Sequence, residues 1–308
     1  MFLIRGLSMS APGSKKPNED RWDYAVSPFN LVVAIGDGVT QALDPEGVYP
    51  GKISWRAAHL AARRVVRSLR RTNPGPHDAQ RLRDVIANAN RDIRLLNTRL
   101  NRWHFDGDLA TDRISSTIVV AWLRALPDGC AEGFVASLGD PVCLLVPNQG
   151  APSLLTTDQL HACHAYSYES FRPQTGESTE SARQRRHQWQ RGYARNNPGA
   201  ENPDKPGEYV GYGVLNGDPR ALHFLDVRSV LMQPGDRLLV ASDAVRASRD
   251  SEGRVPETAE DYARVATYVR AGSIQRIPEA LLALIRNDEI ARDTRADDAT
   301  VVIIENAP

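Results

Sequence analysis

Residues 31–38 read LVVAIGDG, five apolar residues closed by Gly36-Asp37-Gly38. The run is short and rich in β-branched side chains, which favours a buried strand over a helix. It delivers one carboxylate, Asp37, where the strand meets a turn. The same arrangement recurs along the chain. Leu138-Gly139-Asp140 follows an apolar run, and Ala241-Ser242-Asp243 closes RLLVA at 237–241. Asp297-Asp298-Ala299-Thr300 opens the last apolar run, and Asn18-Glu19-Asp20 adds a fifth signature near the start. A sequence that repeatedly sets acids at strand edges is gathering them. Gathered carboxylates repel one another and lose hydration unless a cation joins them. A hard metal ion is therefore the first expectation.

Outward from this strand, Ser54 reads as an N-cap before WRAAHLAARRVVRSLRR. Trp55, Ala58, Ala62, Val65, Val66 and Leu69 recur at helical spacing on one face. After a Pro/Gly turn at 73–76, Leu82, Val85, Ile86, Ala89, Ile93, Leu96 and Leu100 repeat that spacing. Two amphipathic helices with a short connection are expected antiparallel on a common partner. Strands are expected at 116–123, 133–137 and 142–146, paired antiparallel through short turns. More are expected at 221–225, 237–241 and 300–304, with helices at 258–270 and 278–287. Residues 157–212 are poor in aliphatic side chains and too long for an ordinary connection. They read as an inserted flap in an otherwise single domain over 1–308.

Composition narrows the function classes. The 308 residues carry 38 Lys plus Arg against 38 Asp plus Glu. This zero net charge points to neither a nucleic-acid nor a membrane partner. The three cysteines, Cys130, Cys143 and Cys163, lack metal-type spacing and suit a reduced, cytoplasmic setting. Met1 to Leu7 is too short for a signal peptide, and no apolar run is long enough for a bilayer. A Cys-x5-Arg phosphatase loop is absent, because Ala136, Gln149 and Glu169 stand six residues after the three cysteines.

The ordered signatures resemble the metal-dependent protein phosphatases, the type 2C serine/threonine family, over about 18–305. The matching pieces are Asn18-Glu19-Asp20, the stretch 33–38, Ser115-Ser116-Thr117, Leu138-Gly139-Asp140, Leu155-Thr156-Thr157-Asp158, residues 234–243 and residues 297–302. The resemblance implies an α+β fold, a four-layer α-β-β-α sandwich of two antiparallel sheets flanked by helix pairs. It implies that Asp37 bridges two Mg²⁺ or Mn²⁺ ions, with the Gly38 carbonyl as a further ligand. Glu19 would serve one ion, mostly through water, while Asp243 and Asp297 would hold the other. Asp37, Asp243 and Asp297 would thus carry catalysis, and Asp20 would orient waters. Asp140 matches an acid that bacterial members use, with Asp243, for a third and weaker metal. All-oxygen ligation suits Mg²⁺ or Mn²⁺ over Zn²⁺. A metal-activated water would then attack phosphorus directly.

Departures from the family pattern accompany the match. Val39-Thr40-Gln41 stands where a His or Met and two glycines are usual, so Val39 cannot act as a general acid. Lys15 falls where the phosphate-binding Arg is expected, offering a point charge and not a fork. Asp298 stands where Asn is usual, adding charge beside the metal. The expected activity is hydrolysis of phosphoserine or phosphothreonine on a phosphorylated protein, the product of a cognate Ser/Thr kinase. The alternative is a weak or inactive relative that binds phosphoproteins. In the flap, Arg183, Arg185, Arg186 and Arg191 form a basic run, read first as a solvated charged face and next as a guanidinium patch for docking a phosphopeptide.

Overall fold

The computed structural model describes residues 1–11, 18–39, 54–75, 77–100, 113–247, 258–291 and 298–307. The first half contains β1 (Phe2–Met9), β2 (Arg21–Val26), β3 (Asn30–Val39), α1 (Ser54–Leu69), α2 (Ala79–Arg99), β4 (Ser115–Ala125), β5 (Ala131–Leu138), β6 (Val142–Val146) and β7 (Ser153–Leu154). The second half contains α3 (His161–Ser170), α4 (Thr179–Trp189), β8 (Glu201–Asn202), β9 (Lys205–Tyr209), β10 (Asp226–Met232), β11 (Arg237–Ala241), α5 (Ala263–Ala271), α6 (Ile277–Ala291) and β12 (Ala299–Asn306). One five-stranded sheet has the order β1-β12-β11-β6-β7, the other β10-β5-β4-β3-β2. Every pairing within them is antiparallel. Among the described residues, no helix is long and apolar enough to cross a membrane.

Alternation along each strand builds the layers. β3 turns Val32 and Ala34 toward α1 and α2, and Leu31, Val33 and Ile35 toward the other sheet. β4 does the same with Ile118, Val120 and Trp122 against Val119, Ala121 and Leu123. In the second sheet, Leu239, Val301 and Ile303 meet α5 and α6, while Leu238, Val240, Val302 and Ile304 face the first sheet. Both strand faces are thus buried, which is why these strands read as unbroken apolar runs. The result is the expected four-layer α-β-β-α sandwich of two antiparallel sheets flanked by helix pairs.

Several local expectations are corrected. β5 and β6 do not pair: β5 lies between β4 and β10, and β6 between β11 and β7, so residues 139–141 carry the chain from one sheet to the other. The strand expected at 221–225 is a 3₁₀ turn, Pro219–Phe224. Asp218 starts it by accepting the Arg220 amide at 2.9 Å, with Pro219 supplying the preset φ. The strand follows it, as β10. Thr258 donates its amide and hydroxyl to the Asp261 carboxylate, which makes a turn, so α5 starts only at Ala263. β1 and β2 were not expected, because they are edge strands of mixed composition. Trp55 is half-buried beside the apolar face of α1, with the Arg21 and Arg56 guanidinium groups over its ring at 5.2 and 5.7 Å.

Residues 157–212 hold α3, α4, a π turn at Gln190–Ala194 and the β8–β9 hairpin. With few aliphatics available, the local core is small, Cys163, Ala194, Tyr212 and Val214, and partly exposed aromatic rings cluster beside it. Trp189 stands 4.9 Å from Tyr166, 5.7 Å from Phe171 and 5.4 Å from Tyr193. The return to the sandwich runs through buried asparagines. Asn196 takes a left-handed φ of 52° and donates to Val214 O and to Asn216 Oδ1. Asn97 of α2 donates to Asn216 O and Ile114 O and accepts the Ile114 amide at 2.9 Å. Replacing Asn97 by Ala leaves these backbone groups buried without their partner. The expected loss is about 2–4 kcal/mol in urea unfolding, against under about 0.5 kcal/mol for the exposed Leu95→Ala.

Burial, reinforced by Arg191, Arg183, Arg186 and His164, pushes His187 down to about 4 from the ordinary value of 6.5. Between these values the unfolded chain binds the proton and the folded chain does not. The contribution is therefore complete above about pH 6.5 and lost as pH falls through about 4. Thermal melts across this window are expected to fall on acidification, and His187→Gln to flatten the slope.

Candidate active site

The strand registers put the sequence-predicted acids that are described at one end of the sandwich. In the first sheet, Asp37 lies opposite Thr117 near the end of β3, β2 begins at Arg21 opposite Gly36, and β5 ends at Leu138 opposite Ile118. In the second sheet, β11 ends at Ala241, opposite Val142 at the start of β6 and Val301 near the start of β12. β1 ends at Met9, opposite Ala299. Residues 139–141 join Leu138 to Val142, so these two sheet ends are the same end of the molecule. Glu19, Asp20, Asp37, Gly38, Asp140, Asp243 and Asp298 all belong to it.

The segment before β2 is held by its own polar groups. The Asp20 amide donates to Asn18 Oδ1 at 2.8 Å. The Arg21 guanidinium donates to the carbonyls of Asn18 and Asp20 while lying over Trp55. Gly38 donates its amide to the Glu19 carbonyl at 3.2 Å. A Cβ at Gly38 would come within 2.9 Å of the Ser54 carbonyl carbon and 3.0 Å of the Glu19 oxygen. Only glycine lets β3 approach this closely. Asp298 accepts the Ala11 amide at 2.8 Å and the Glu19 amide at 2.6 Å, one on each carboxylate oxygen. Its carboxylate thus ties the segment after β1 to the segment before β2.

The other acids approach from the sheet-crossing corner and from β11. Gly139 has a φ of +94°, and a Cβ there would meet Thr117 Cγ2 at 2.6 Å. The Gln159 side chain accepts the Gly139 amide at 2.9 Å and donates to Phe224 O at 2.6 Å, fixing the flap root to this corner. Beyond β11, Ser242 and Thr300 exchange hydrogen bonds at 3.0 Å, and Asp243 opens a 3₁₀ turn, Asp243–Ala247. That turn carries Arg246, which is 8% exposed. Its Nε donates to the Asp140 carbonyl at 2.9 Å, and its Nη1 lies 3.4 Å from Asp158 Oδ2. Burial works against its charge, yet Tyr262, Asp158, Asp140 and Asp243 outweigh burial and raise its pKa. Burial likewise pushes the Tyr262 hydroxyl up to about 12.

Asp37 and Asp243 are half-buried, whereas Glu19, Asp20, Asp140 and Asp298 are buried. Asp297 and Lys15 lie outside the described residues, as do Thr40 and Gln41. Among the described residues, no three His, Cys, Asp or Glu side chains stand close enough to hold a metal between them. Val39 ends β3 against an apolar group of Cys163, Ala194, Tyr212 and Val214, so this departure gives the flap a dry contact beside Asp37. In the flap, Arg185 grips Glu177 through two hydrogen bonds of 2.8 and 2.7 Å, and Arg183 lies 3.7 Å from Glu180. Arg186 stacks 3.9 Å over Tyr168, and Arg191 contributes to the field that depresses His187. Sequence reasoning did not single out Arg21, Gln159 or Arg246 for this end. The available signal for Arg246 was its place three residues after Asp243, in the same short turn.

The family model described as protein phosphatase 2C matches residues 9–281. A search of curated proteins finds no match. Among solved structures, the Mycobacterium tuberculosis serine/threonine phosphatase PstP/Ppp is similar with a TM-score of 0.59 at 14% identity, over 100% of this chain and 99% of that one. The catalytic domain of PstP in complex with 2 manganese ions gives 0.58 at 14% identity, over 99% and 97%. The S. agalactiae serine/threonine phosphatase gives 0.58 at 16% identity, over 99% of both chains. At these identities the structures bear on the fold, and the family model, spanning most of the sequence, bears on descent. The chain belongs to the protein phosphatase 2C family.

Proposed function

We propose that this protein is a metal-dependent serine/threonine phosphatase that hydrolyses phosphoserine or phosphothreonine on proteins. The observation that carries the reading is the convergence of the acids from both sheets on one end, with Asp37 and Asp243 half-buried there. The donors are all oxygen, which fits Mg²⁺ or Mn²⁺. The fit has local support: the glycine at 38 lets the β3 end lie against Glu19, and Asp298 holds the Glu19 backbone. Asp37 would serve both ions of a metal pair, with Glu19 and the Gly38 carbonyl on one side and Asp243 and Asp297 on the other. Such a pair, when bound, lowers the pKa of the attacking water and clamps the phosphoryl oxygens. The similar PstP catalytic domain is in complex with two manganese ions, which supports a metal pair of this kind.

The chain's own groups favour direct attack by water. Cys143 and Cys163 are buried, and burial pushes both thiols up, Cys163 to about 12. Cys130 sits on the turn before β5, at the opposite end of the sheet from Asp37, and burial and Asp128 also raise its thiol. None offers a thiolate nucleophile. Asp20, 2% exposed behind Glu19, is suited to orienting water. Val39 carries no proton, so protonation of the leaving serine or threonine oxygen falls to solvent.

Turnover of a phosphothreonine peptide is expected only with Mn²⁺ or Mg²⁺ added. Asp37→Asn and Asp243→Asn are each expected to lower kcat at least about a hundredfold with unchanged circular dichroism. Wild-type turnover no higher than that of these variants would sink the enzyme reading. It would favour the phosphoprotein-binding alternative, which is motivated by the altered stretch after Asp37 and by Lys15 in place of the phosphate-binding Arg.

A further inference from the structure

We propose that Arg246 is a resident cation for the acids at the sheet-crossing corner and keeps a third divalent ion out of the Asp140–Asp243 pair. The inference deepens the metal-phosphatase reading and rests on it. The sequence resemblance led to the expectation that Asp140 and Asp243 serve a third, weaker metal. The turn Asp243–Ala247 brings to this corner a guanidinium that is 8% exposed. It donates to the Asp140 carbonyl at 2.9 Å and faces the Asp158 carboxylate at 3.4 Å. The fields of Asp158, Asp140 and Asp243 all favour its charge. Arginine stays protonated at every physiological pH, so this cation is permanent.

Two consequences follow from charge and tethering. A fixed positive charge on the Asp140 carbonyl and 3.4 Å from the Asp158 carboxylate offsets the attraction this corner would exert on a further divalent ion, and weakens its binding by at least about tenfold. The guanidinium also spans three segments: the turn after β11, the sheet-crossing corner at Asp140, and Asp158 at the flap root. A diffusible ion would leave that link dependent on metal concentration, whereas an arginine makes it constitutive. The acids at this corner are then balanced internally, while the Asp37 side stays committed to exchangeable metal.

The test is Mn²⁺ stoichiometry by calorimetry and electron paramagnetic resonance on metal-stripped protein. Wild type is expected to bind two equivalents, with no further uptake at millimolar Mn²⁺. Arg246→Gln is expected to gain a third, weak equivalent, and Arg246→Lys to gain none. Asp140→Asn is expected to leave the wild-type stoichiometry unchanged. A third wild-type equivalent that Asp140→Asn removes would overturn the proposal and leave the phosphatase reading standing. Absence of any third equivalent in a folded Arg246→Gln would also overturn it. If Arg246→Gln fails a thermal-melt check for folding, the wild-type and Asp140→Asn titrations still decide. A wild type that binds no Mn²⁺ sinks both readings.

Discussion

Stacking two sheets face to face, with helices on both outer surfaces, requires strands that are apolar on both sides. Polar groups can then gather only where the strands stop. Much of this protein is organised by that restriction. Between Leu31 and Ile35 no side chain is exposed, and the first half-buried acid of β3, Asp37, comes as the strand ends. β11 behaves alike, dry through Ala241 and acidic at Asp243. Because consecutive strands are antiparallel, alternate connections reach the same end, and acids from distant parts of the sequence are brought to it.

The same restriction decides what was legible in advance. β3, β4, β11 and β12 have interior faces on both sides, so their sequences are continuous apolar runs and were readable. The edge strands β1 and β2 have one wetter side, and their mixed composition hid them. Partner choice was hidden as well. A short turn at Gly139-Asp140 suggests a hairpin, but a left-handed glycine can also turn the chain into a neighbouring sheet, and packing selects between the two. Asn90 and Asn97 interrupt no helical pattern, so nothing local revealed that both are buried and satisfy backbone groups of distant segments. The site was legible as an ordered set of acids. Its supporting groups were not, because Arg21, Gln159 and Arg246 act through backbone carbonyls and amides that only the fold supplies.

Charge at the acidic end is managed in two ways. Asp298 is balanced by backbone, with two amides pointing at its oxygens. Asp158 has a guanidinium beside it, and the same guanidinium touches the Asp140 carbonyl. Both devices are fixed by the chain and require nothing from solution. The flap joins this arrangement at two points, an apolar one at Val39 and a polar one at Asp158.

Asp37 lies on β3 and Asp243 just beyond β11, strands of different sheets, and the layer between those sheets includes Leu31, Val33, Ile35, Val119, Leu238 and Val240. That layer therefore acts as a gauge block. Its thickness sets the gap between the jaws that carry the two acids, much as a machinist's spacer sets a caliper. A well-packed interior yields little, so the gap is held to a fraction of an ångström by side chains that never touch a ligand. Exchanging one of these for a slimmer or bulkier neighbour would therefore retune the jaw spacing without altering either acid.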